Sequence, residues 1–335
     1  MARYWVGGAT GFLGSHLVKL LQGRGHEVVG VSRSGGRVGS LELKTVDVLD
    51  AEQVRLSAAG CDGAFLATGL VTRDRDAAEE LHRLHVTGTR HALQGLRAAG
   101  VRRTVVASTS GTIAVGKDPK RIFDERDDPP LELIASWPYY RSKLFAESEA
   151  LDANAPEFEV VIVNPSLLLG PGDIRESSTG DVRRFLDRSI PAVPSGGMAF
   201  VDVRDAALGM WLAFERGRAG ERYLLNAKNL TIAAFLQRLS RLTGVKPPFL
   251  RLPKHRELAL QLNQVFSKAV RAIGGEPPVD EVSVEMSQYF WYCDSAKAQE
   301  DLGWQPRDPG ETLRDTVFDL VERGVVPDFR KRRAS

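Results

Sequence analysis

Three glycines spaced three apart, Gly8, Gly11 and Gly14, lie in the segment GGATGFLGSHL (7–17), straight after the apolar run Tyr4-Trp5-Val6. Nothing else in the chain limits its fold as strongly. Between a strand and a helix, the first glycine of such a trio permits a tight turn and the second lets a pyrophosphate approach the backbone. The third lets helix and strand pack closely. The helix that follows, with Leu17, Val18, Leu20 and Leu21 at helical spacing, aims free N–H groups and a positive dipole end at the same spot. The segment therefore predicts a dinucleotide-binding loop, with Gly8, Thr10, Gly11, Phe12, Leu13 and Gly14 against the ligand.

The first half of the chain keeps alternating. Apolar runs at 27–32, 64–67, 103–107 and 159–163 read as strands, and 77–99 and 138–153 as helices between them. Strand and helix in turn predict an α/β fold, a doubly wound Rossmann-type parallel sheet covered on both faces. The second half is less regular. Turn-rich stretches at 170–172 and 191–197 mark excursions from the sheet, and helices are expected at 230–243 and 257–273, broken by Pro247-Pro248 and Pro277-Pro278. The expected division is a dinucleotide-binding domain over 1–170, to which 199–228 returns. A smaller, partly interleaved substrate domain takes 171–198 and 229–325, and 326–335 is a basic tail.

Charge and cysteine usage exclude several function classes. The 335 residues hold 45 Lys and Arg against 43 Asp and Glu, a net charge of +2, with no electrostatic footprint for nucleic acid or an anionic membrane. Cys61 and Cys293 have neither metal-ligand spacing nor a disulfide framework. No run approaches the roughly 18 apolar residues of a membrane span, and the glycine segment begins too early to leave room for a signal peptide. A cytoplasmic protein with no metal is expected.

The end of the second strand bears on which dinucleotide binds. A carboxylate there would take the ribose 2′-hydroxyl, and an arginine a 2′-phosphate. The strand ends Gly30-Val31-Ser32-Arg33-Ser34, with no carboxylate. Arg33 is placed to pair with a phosphate, and Ser32 and Ser34 to donate hydrogen bonds. NADP(H) is expected, with NAD(H) the alternative.

Ser136-Trp137-Pro138-Tyr139-Tyr140-Arg141-Ser142-Lys143 reads as a helix start, with Ser136 as cap and Pro138 in the first turn. Tyr139 and Lys143 then stack on one face. An ammonium beside a phenol lowers the phenol's pKa, making Tyr139 a better proton donor near neutrality. Upstream, the strand 103–107 runs into Ser108-Thr109-Ser110, at the end of a parallel sheet where ligands bind; a hydroxyl there polarises a substrate oxygen or simply caps the turn.

Together these features resemble the extended short-chain dehydrogenase/reductase family, which has the glycine segment, the Ser-Thr-Ser strand end and Tyr139-x-x-x-Lys143 in this order. Asp47-Val48, Asn164-Pro-Ser-Leu-Leu-Leu-Gly-Pro171, Phe200-Val-Asp-Val-Arg-Asp205 and Ala296-Lys-Ala-x-x-x-Leu-Gly-Trp304 also match, so the resemblance covers nearly the whole chain. It is strongest to the dihydroflavonol-reductase-like branch and its sugar-nucleotide-epimerase-like relatives. The resemblance implies that Tyr139 is the general acid/base, and that Lys143 binds the nicotinamide ribose and tunes the tyrosine. By the same resemblance Ser110 holds the reacting oxygen, Thr109 being the alternative. It also puts Asp47 and Val48 at the adenine, Ala67 and Thr68 beside the middle of the cofactor, and Pro165 and Leu168 beside the nicotinamide amide. Two positions depart from the pattern: Gly7 replaces the usual Thr, and His85 stands where Asn is usual, as a polar contact or a satisfied core histidine.

The favoured activity is NADP-dependent reduction of a small-molecule ketone or aldehyde, reversible to the alcohol. A sugar-nucleotide epimerase or dehydratase retaining NAD is the alternative, and Arg183, Arg184 and Arg188 are its candidate diphosphate ligands. Against it, Ser195-Gly-Gly-Met-Ala lacks the arginine such enzymes often carry there. A third reading, a non-catalytic NADP sensor, is disfavoured by the retained Tyr/Lys pair. Phe185, Leu186, Phe266, Tyr289, Phe290, Trp291 and Tyr292 are candidates for an apolar substrate pocket. The resemblance also admits a homodimer through the helices near 77–99 and 138–153.

Overall fold

A computed structural model describes residues 1–253, 256–272 and 279–329. In chain order come β1 (Arg3–Gly7), α1 (Phe12–Gly23), β2 (Glu27–Ser32), β3 (Arg37–Val38), β4 (Leu41–Glu42), β5 (Lys44–Thr45), α2 (Ala51–Ala58) and β6 (Gly63–Leu66). Next are α3 (Ala78–His82), α4 (Gly88–Ala98), β7 (Arg103–Ala107), α5 (Leu131–Ile134), α6 (Pro138–Asp152) and β8 (Glu159–Pro165). The second half contains β9 (Leu167–Leu169), α7 (Gly180–Leu186), β10 (Gly197–Asp202), α8 (Val203–Arg216), β11 (Arg222–Leu225) and β12 (Lys228–Thr231). It ends with α9 (Ile232–Thr243), α10 (Arg256–Ala272), α11 (Glu281–Met286), α12 (Ala296–Leu302) and α13 (Pro309–Glu322).

Seven strands form one sheet in the order β11-β8-β7-β6-β1-β2-β5, every pair parallel. The chain starts at β1, steps outward to β2 and β5, then crosses back to β6. Strand order thus reverses between β1 and β6, the switch point where the carboxyl ends of such a sheet open a ligand crevice. Gly7 sits on that line, paired with Val31 on one side and Leu66 on the other.

Alternating side chains bury both faces of the sheet. Tyr4, Val6, Val161 and Val163 pack with Leu17, Val18 and Leu21 of α1 and Ala206 and Met210 of α8. Trp5, Val160 and Ile162 face the other way, onto Val54 of α2 and Ala92, Leu93 and Leu96 of α4. Trp5 is fully buried, and its indole N–H donates to Ser57 Oγ at 3.0 Å, so its one polar atom is satisfied.

A second core joins β9 and β10 to α7, α9 and α13 through Leu169, Val182, Phe185, Phe200, Phe235, Leu239 and Val317. Its small sheet is mixed: β10 runs parallel to β9 and antiparallel to β12. From there α8 packs against α1, and β11 returns to the edge of the large sheet beside β8. The helical stretch expected at 77–99 is continuous but not uniform. One π-helical turn, Arg83–Thr87, separates α3 from α4 and carries His85 inward. The proline break expected at 277–278 and the end of the basic tail fall outside the described residues. Among the described residues, no helix is long and apolar enough to cross a membrane.

Candidate active site

At the switch point, two of the three glycines are required by geometry. Gly8 has φ +73°, and a Cβ there would lie 2.6 Å from the Ala67 carbonyl oxygen. A Cβ on Gly14 would lie 2.2 Å from the Gly8 carbonyl oxygen, so α1 meets the loop backbone-to-backbone. Gly11 is looser. It occupies the N-cap of α1 without a side-chain cap, leaving the first N–H groups of the helix for another acceptor. Thr10 is exposed and Phe12 half-buried beside it, while the Leu13 side chain points into the core, so only its backbone is available to a ligand. Ala67 and Thr68 flank Gly8, and the Thr68 hydroxyl is buried with no hydrogen-bond partner. An orphaned hydroxyl beside an uncapped helix terminus fits a phosphate-bearing dinucleotide.

Farther out, Asp47 accepts the Leu49 N–H at 3.0 Å, and its own N–H donates to Gln53 at 3.1 Å; Val48 is buried. Arg33 is exposed at the end of β2, with no ion pair among the described residues. The expectation for Ser32 needs correction. Its hydroxyl is buried and donates to the Gly35 carbonyl at 2.6 Å, holding the turn after β2 rather than offering a proton to a ligand.

Tyr139 and Lys143 lie in the first turns of α6, and Pro138 takes its first position. Ser136 does not cap this helix. Its hydroxyl donates back to the Leu133 carbonyl at 3.3 Å, finishing α5, and the cap position falls to Trp137. A second correction concerns acidity. Burial raises the Tyr139 phenol well above its ordinary value, and the neighbouring Tyr140 adds to this. Lys143 does not offset it: its ammonium donates to the Ala107 carbonyl at 2.8 Å, and burial pulls its pKa down to about 8, partly restored by Glu147.

His85 is a satisfied core histidine. The Leu70 N–H donates to its Nε2 at 3.0 Å, which places the ring proton on Nδ1, 2.8 Å from the Ser142 hydroxyl. Ser142 in turn donates to the Tyr139 carbonyl at 2.8 Å. Burial, with the Lys143 charge, lowers the His85 pKa to about 3, so the ring is neutral. It meets the Tyr139 ring edge-on at 5.7 Å.

The three hydroxyls after β7 separate cleanly. Ser108 donates to Glu147 Oε1, and Thr109 Oγ1 accepts the Gly111 N–H at 3.4 Å. Ser110 is 5% exposed, with its hydroxyl beside the buried Cys293 thiol. Cys61 and Cys293 are both buried free thiols. Next to Ser110, Gly111 lies under the ring of Tyr140, since a Cβ there would come 2.1 Å from it. That ring also meets Trp291, centroids 4.9 Å apart, and Trp291 continues onto Trp137 at 5.4 Å.

Glu147 was not singled out from the sequence. It is 1% exposed, one helical turn beyond Lys143 and two beyond Tyr139, and collects Ser108, Thr112 and Asn164 on one oxygen. The available signal was a carboxylate on the inward face of a helix, where charge is rare unless paired. Pro165 at the end of β8 is buried, and Leu168 on β9 is half-buried against the main core.

Of the candidate pocket residues, Trp291 adjoins Tyr140, and Tyr289 packs on Trp137. Phe290 and Tyr292 pack on each other beside Gly197. Phe185 and Leu186 belong instead to the second core, placed there by the helical phase of α7. The Phe266 side chain lies outside the described residues. Arg183 pairs with Glu176 and Asp187, and Arg184 with Asp181. Arg188 lines a separate cavity of about 300 Å³ with Phe185, Ile190 and Lys246.

Residues 4–225 match the model of the NAD dependent epimerase/dehydratase family. The chain is 34% identical to a Synechocystis sp. protein provisionally named a dihydroflavonol 4-reductase, with 96% of each chain covered. It is 31% identical to Sterol demethylase protein B of Methylococcus capsulatus, over 96% of this chain and 99% of the other. The crystal structure of gox2253 superposes with a TM-score of 0.80 at 28% identity, covering 97% of this chain and 100% of that one.

Proposed function

The chain belongs to the NAD-dependent epimerase/dehydratase family, in the dihydroflavonol-reductase-like branch of the extended short-chain dehydrogenases/reductases, and on that premise we propose that it is an NADP-dependent reductase of a small-molecule ketone or aldehyde. It is a nicotinamide-dinucleotide enzyme. When bound, the nicotinamide supplies hydride to the carbonyl carbon. The chain's own residues do the rest. Tyr139 gives its phenolic proton to the carbonyl oxygen, and Ser110 or Thr109 donates a hydrogen bond to that oxygen as charge develops. Lys143 carries a positive charge beside them and holds the ribose.

The observation that carries this reading is the geometry of α6, which sets Tyr139 one turn from Lys143, whose ammonium reaches the Ala107 carbonyl at the carboxyl end of β7. From there the phenol can give its proton to a substrate carbonyl oxygen. Sugar-nucleotide epimerases and dehydratases would use the same pair but need basic groups for the substrate's diphosphate. Arg183 and Arg184 are also already ion-paired, and so are poorly disposed to take a sugar nucleotide's diphosphate. Arg33, exposed and without a carboxylate neighbour in its turn, favours the 2′-phosphate of NADP. Tyr140 and Trp291 would offer an aromatic wall to a flat, apolar carbonyl compound.

Titration of the purified protein with NADPH and NADH, after release of any copurified cofactor, tests the reading. Tighter, exchangeable NADPH followed by turnover of aromatic or polycyclic ketones supports it. Retained NAD and turnover of a sugar nucleotide would overturn it.

A further inference from the structure

Among the described residues, the large apolar side chain most open to water after the N-terminal methionine is Phe249, at 99% exposure; Leu250 beside it is at 63%. They lie in Lys246-Pro-Pro-Phe-Leu-Arg251, the segment after α9. The segment is not loose. The Val193 N–H donates to the Leu250 carbonyl at 2.9 Å and the Leu252 N–H to the Val193 carbonyl at 2.9 Å, so the backbone on either side of Arg251 is pinned to the chain ahead of β10. Pro247 and Pro248 stiffen it from the other end. The fold therefore holds two apolar side chains out in water, where only a binding partner would cover them. Cations stand around them. Pro248, next to Phe249, lines the cavity of about 300 Å³ together with Arg188 and Lys246. Arg188, Lys246 and Arg251 are all exposed and form no ion pair among the described residues. Residues 246–271 hold six Lys or Arg against one carboxylate, Glu257, in a chain whose net charge is only +2. α10, which follows, has the same character: Leu258, Leu262 and Val265 recur at helical spacing and are exposed, as is Lys268, while Ala259 faces inward.

We propose that this surface docks the protein on an anionic lipid bilayer: Phe249 and Leu250 enter the interfacial layer, and Arg188, Lys246 and Arg251 meet the lipid phosphates around them. Charge and shape select this occupant. A second copy meeting the patch across a two-fold axis would bring the same cations against these and be repelled. A protein partner would need a socket for a fully projecting phenylalanine. The boundary between headgroups and acyl chains accepts any shape, and apolar side chains ringed by basic ones settle there. Anionic lipid adds attraction for each cation near the surface. The overall balance of charge conceals the patch because the acids that offset it lie elsewhere in the chain. The docking is independent of which carbonyl compound the enzyme reduces.

The test is cosedimentation of the full chain with vesicles of phosphatidylcholine, alone or mixed with phosphatidylserine. The chain should partition onto the mixed vesicles and much less onto the neutral ones. Raising salt from about 0.1 M to about 1 M should release it, as the Debye length shortens from about 10 Å to about 3 Å. Phe249→Ser should weaken partition roughly tenfold. Lys246→Gln and Arg251→Gln should each weaken it about fivefold. All three side chains are exposed, so each variant should keep the native melting temperature and NADPH affinity, which separates lost docking from lost folding. No partition onto the mixed vesicles overturns the proposal, and so does partition that Phe249→Ser and Lys246→Gln both leave unchanged. A dimer in light scattering that Phe249→Ser dissolves also overturns it, because a second copy then covers the patch.

Discussion

Replacing Arg33 by Ala isolates the choice between the two dinucleotides, because no other described residue pairs with that side chain. Arg33 is exposed, just past the last residue of β2, and has no ion pair among the described residues. Its removal therefore leaves no buried charge behind and should leave the melting temperature within about a degree. The effect on NADPH follows from the contact it would make. A hydrogen bond to a charged group contributes about 1.5–3 kcal/mol, whereas an exposed ion pair is often worth below 1 kcal/mol. A forked guanidinium on a doubly charged phosphate at a solvent-facing site falls between, at roughly 1–2 kcal/mol. At about 1.4 kcal/mol per decade, Kd for NADPH should rise roughly 5- to 30-fold. NADH, which has a hydroxyl in place of the phosphate, should change less than about twofold. Fluorescence titration of both cofactors measures the two constants directly. Repeating it at high salt adds a control: screening should shrink the NADPH penalty, since the Debye length falls from about 10 Å at 0.1 M to about 3 Å at 1 M. Equal losses for the two cofactors, or no loss for either, would refute the reasoning. Ser32→Ala should leave NADPH binding nearly unchanged, because that hydroxyl is held by Gly35.

Tyr139→Phe removes the proton donor but little packing; turnover should fall by about 10²–10⁴ with NADPH affinity intact, measured by steady-state kinetics beside a binding titration. Gly14→Ala puts a methyl 2.2 Å from a backbone oxygen, so α1 must shift; a loss of about 1–3 kcal/mol in urea unfolding and loss of cofactor binding are expected. His85 is depressed to about 3 in the fold, so the unfolded chain takes up its proton first. Stability should therefore drop as pH falls below 6.5, at up to about 1.4 kcal/mol per unit from this group, and His85→Gln should show a shallower loss between pH 6.5 and 5. Trp291→Ala removes the aromatic neighbour of the Tyr140 ring; KM for bulky aromatic ketones should change more than KM for small aliphatic ones.

Much of the fold was legible because it depends on local pattern. Alternating apolar residues in β1 and β8 dictate a sheet buried on both faces, and three glycines mark where the first strand turns into a helix. What pattern left out comes from tertiary context. The π-helical turn at 83–87 has no distinct local signal, and Ser136 resembles a cap until the short helix α5 claims its hydroxyl. Phe185 and Leu186 resemble pocket residues as readily as core ones, because only the packing of α7 against α9 and α13 decides which way they face.

The acidity of Tyr139 shows how far spacing reaches. Four residues on a helix bring Lys143 to the same face, which is what the motif predicts. Proximity alone does not settle a pKa, because the same packing that aligns the two side chains also buries Lys143 and partly buries Tyr139. Burial acts on each in the direction that favours its neutral form: the phenol keeps its proton, and the ammonium tends to lose one. A lysine that loses its proton cannot hold down the pKa of its neighbour. Glu147, one turn farther along α6, opposes that loss by raising the Lys143 pKa. Tyr139, Lys143 and Glu147 are thus spaced four and four along α6, and that spacing fixes their face of the helix but not their charge, which their surroundings set.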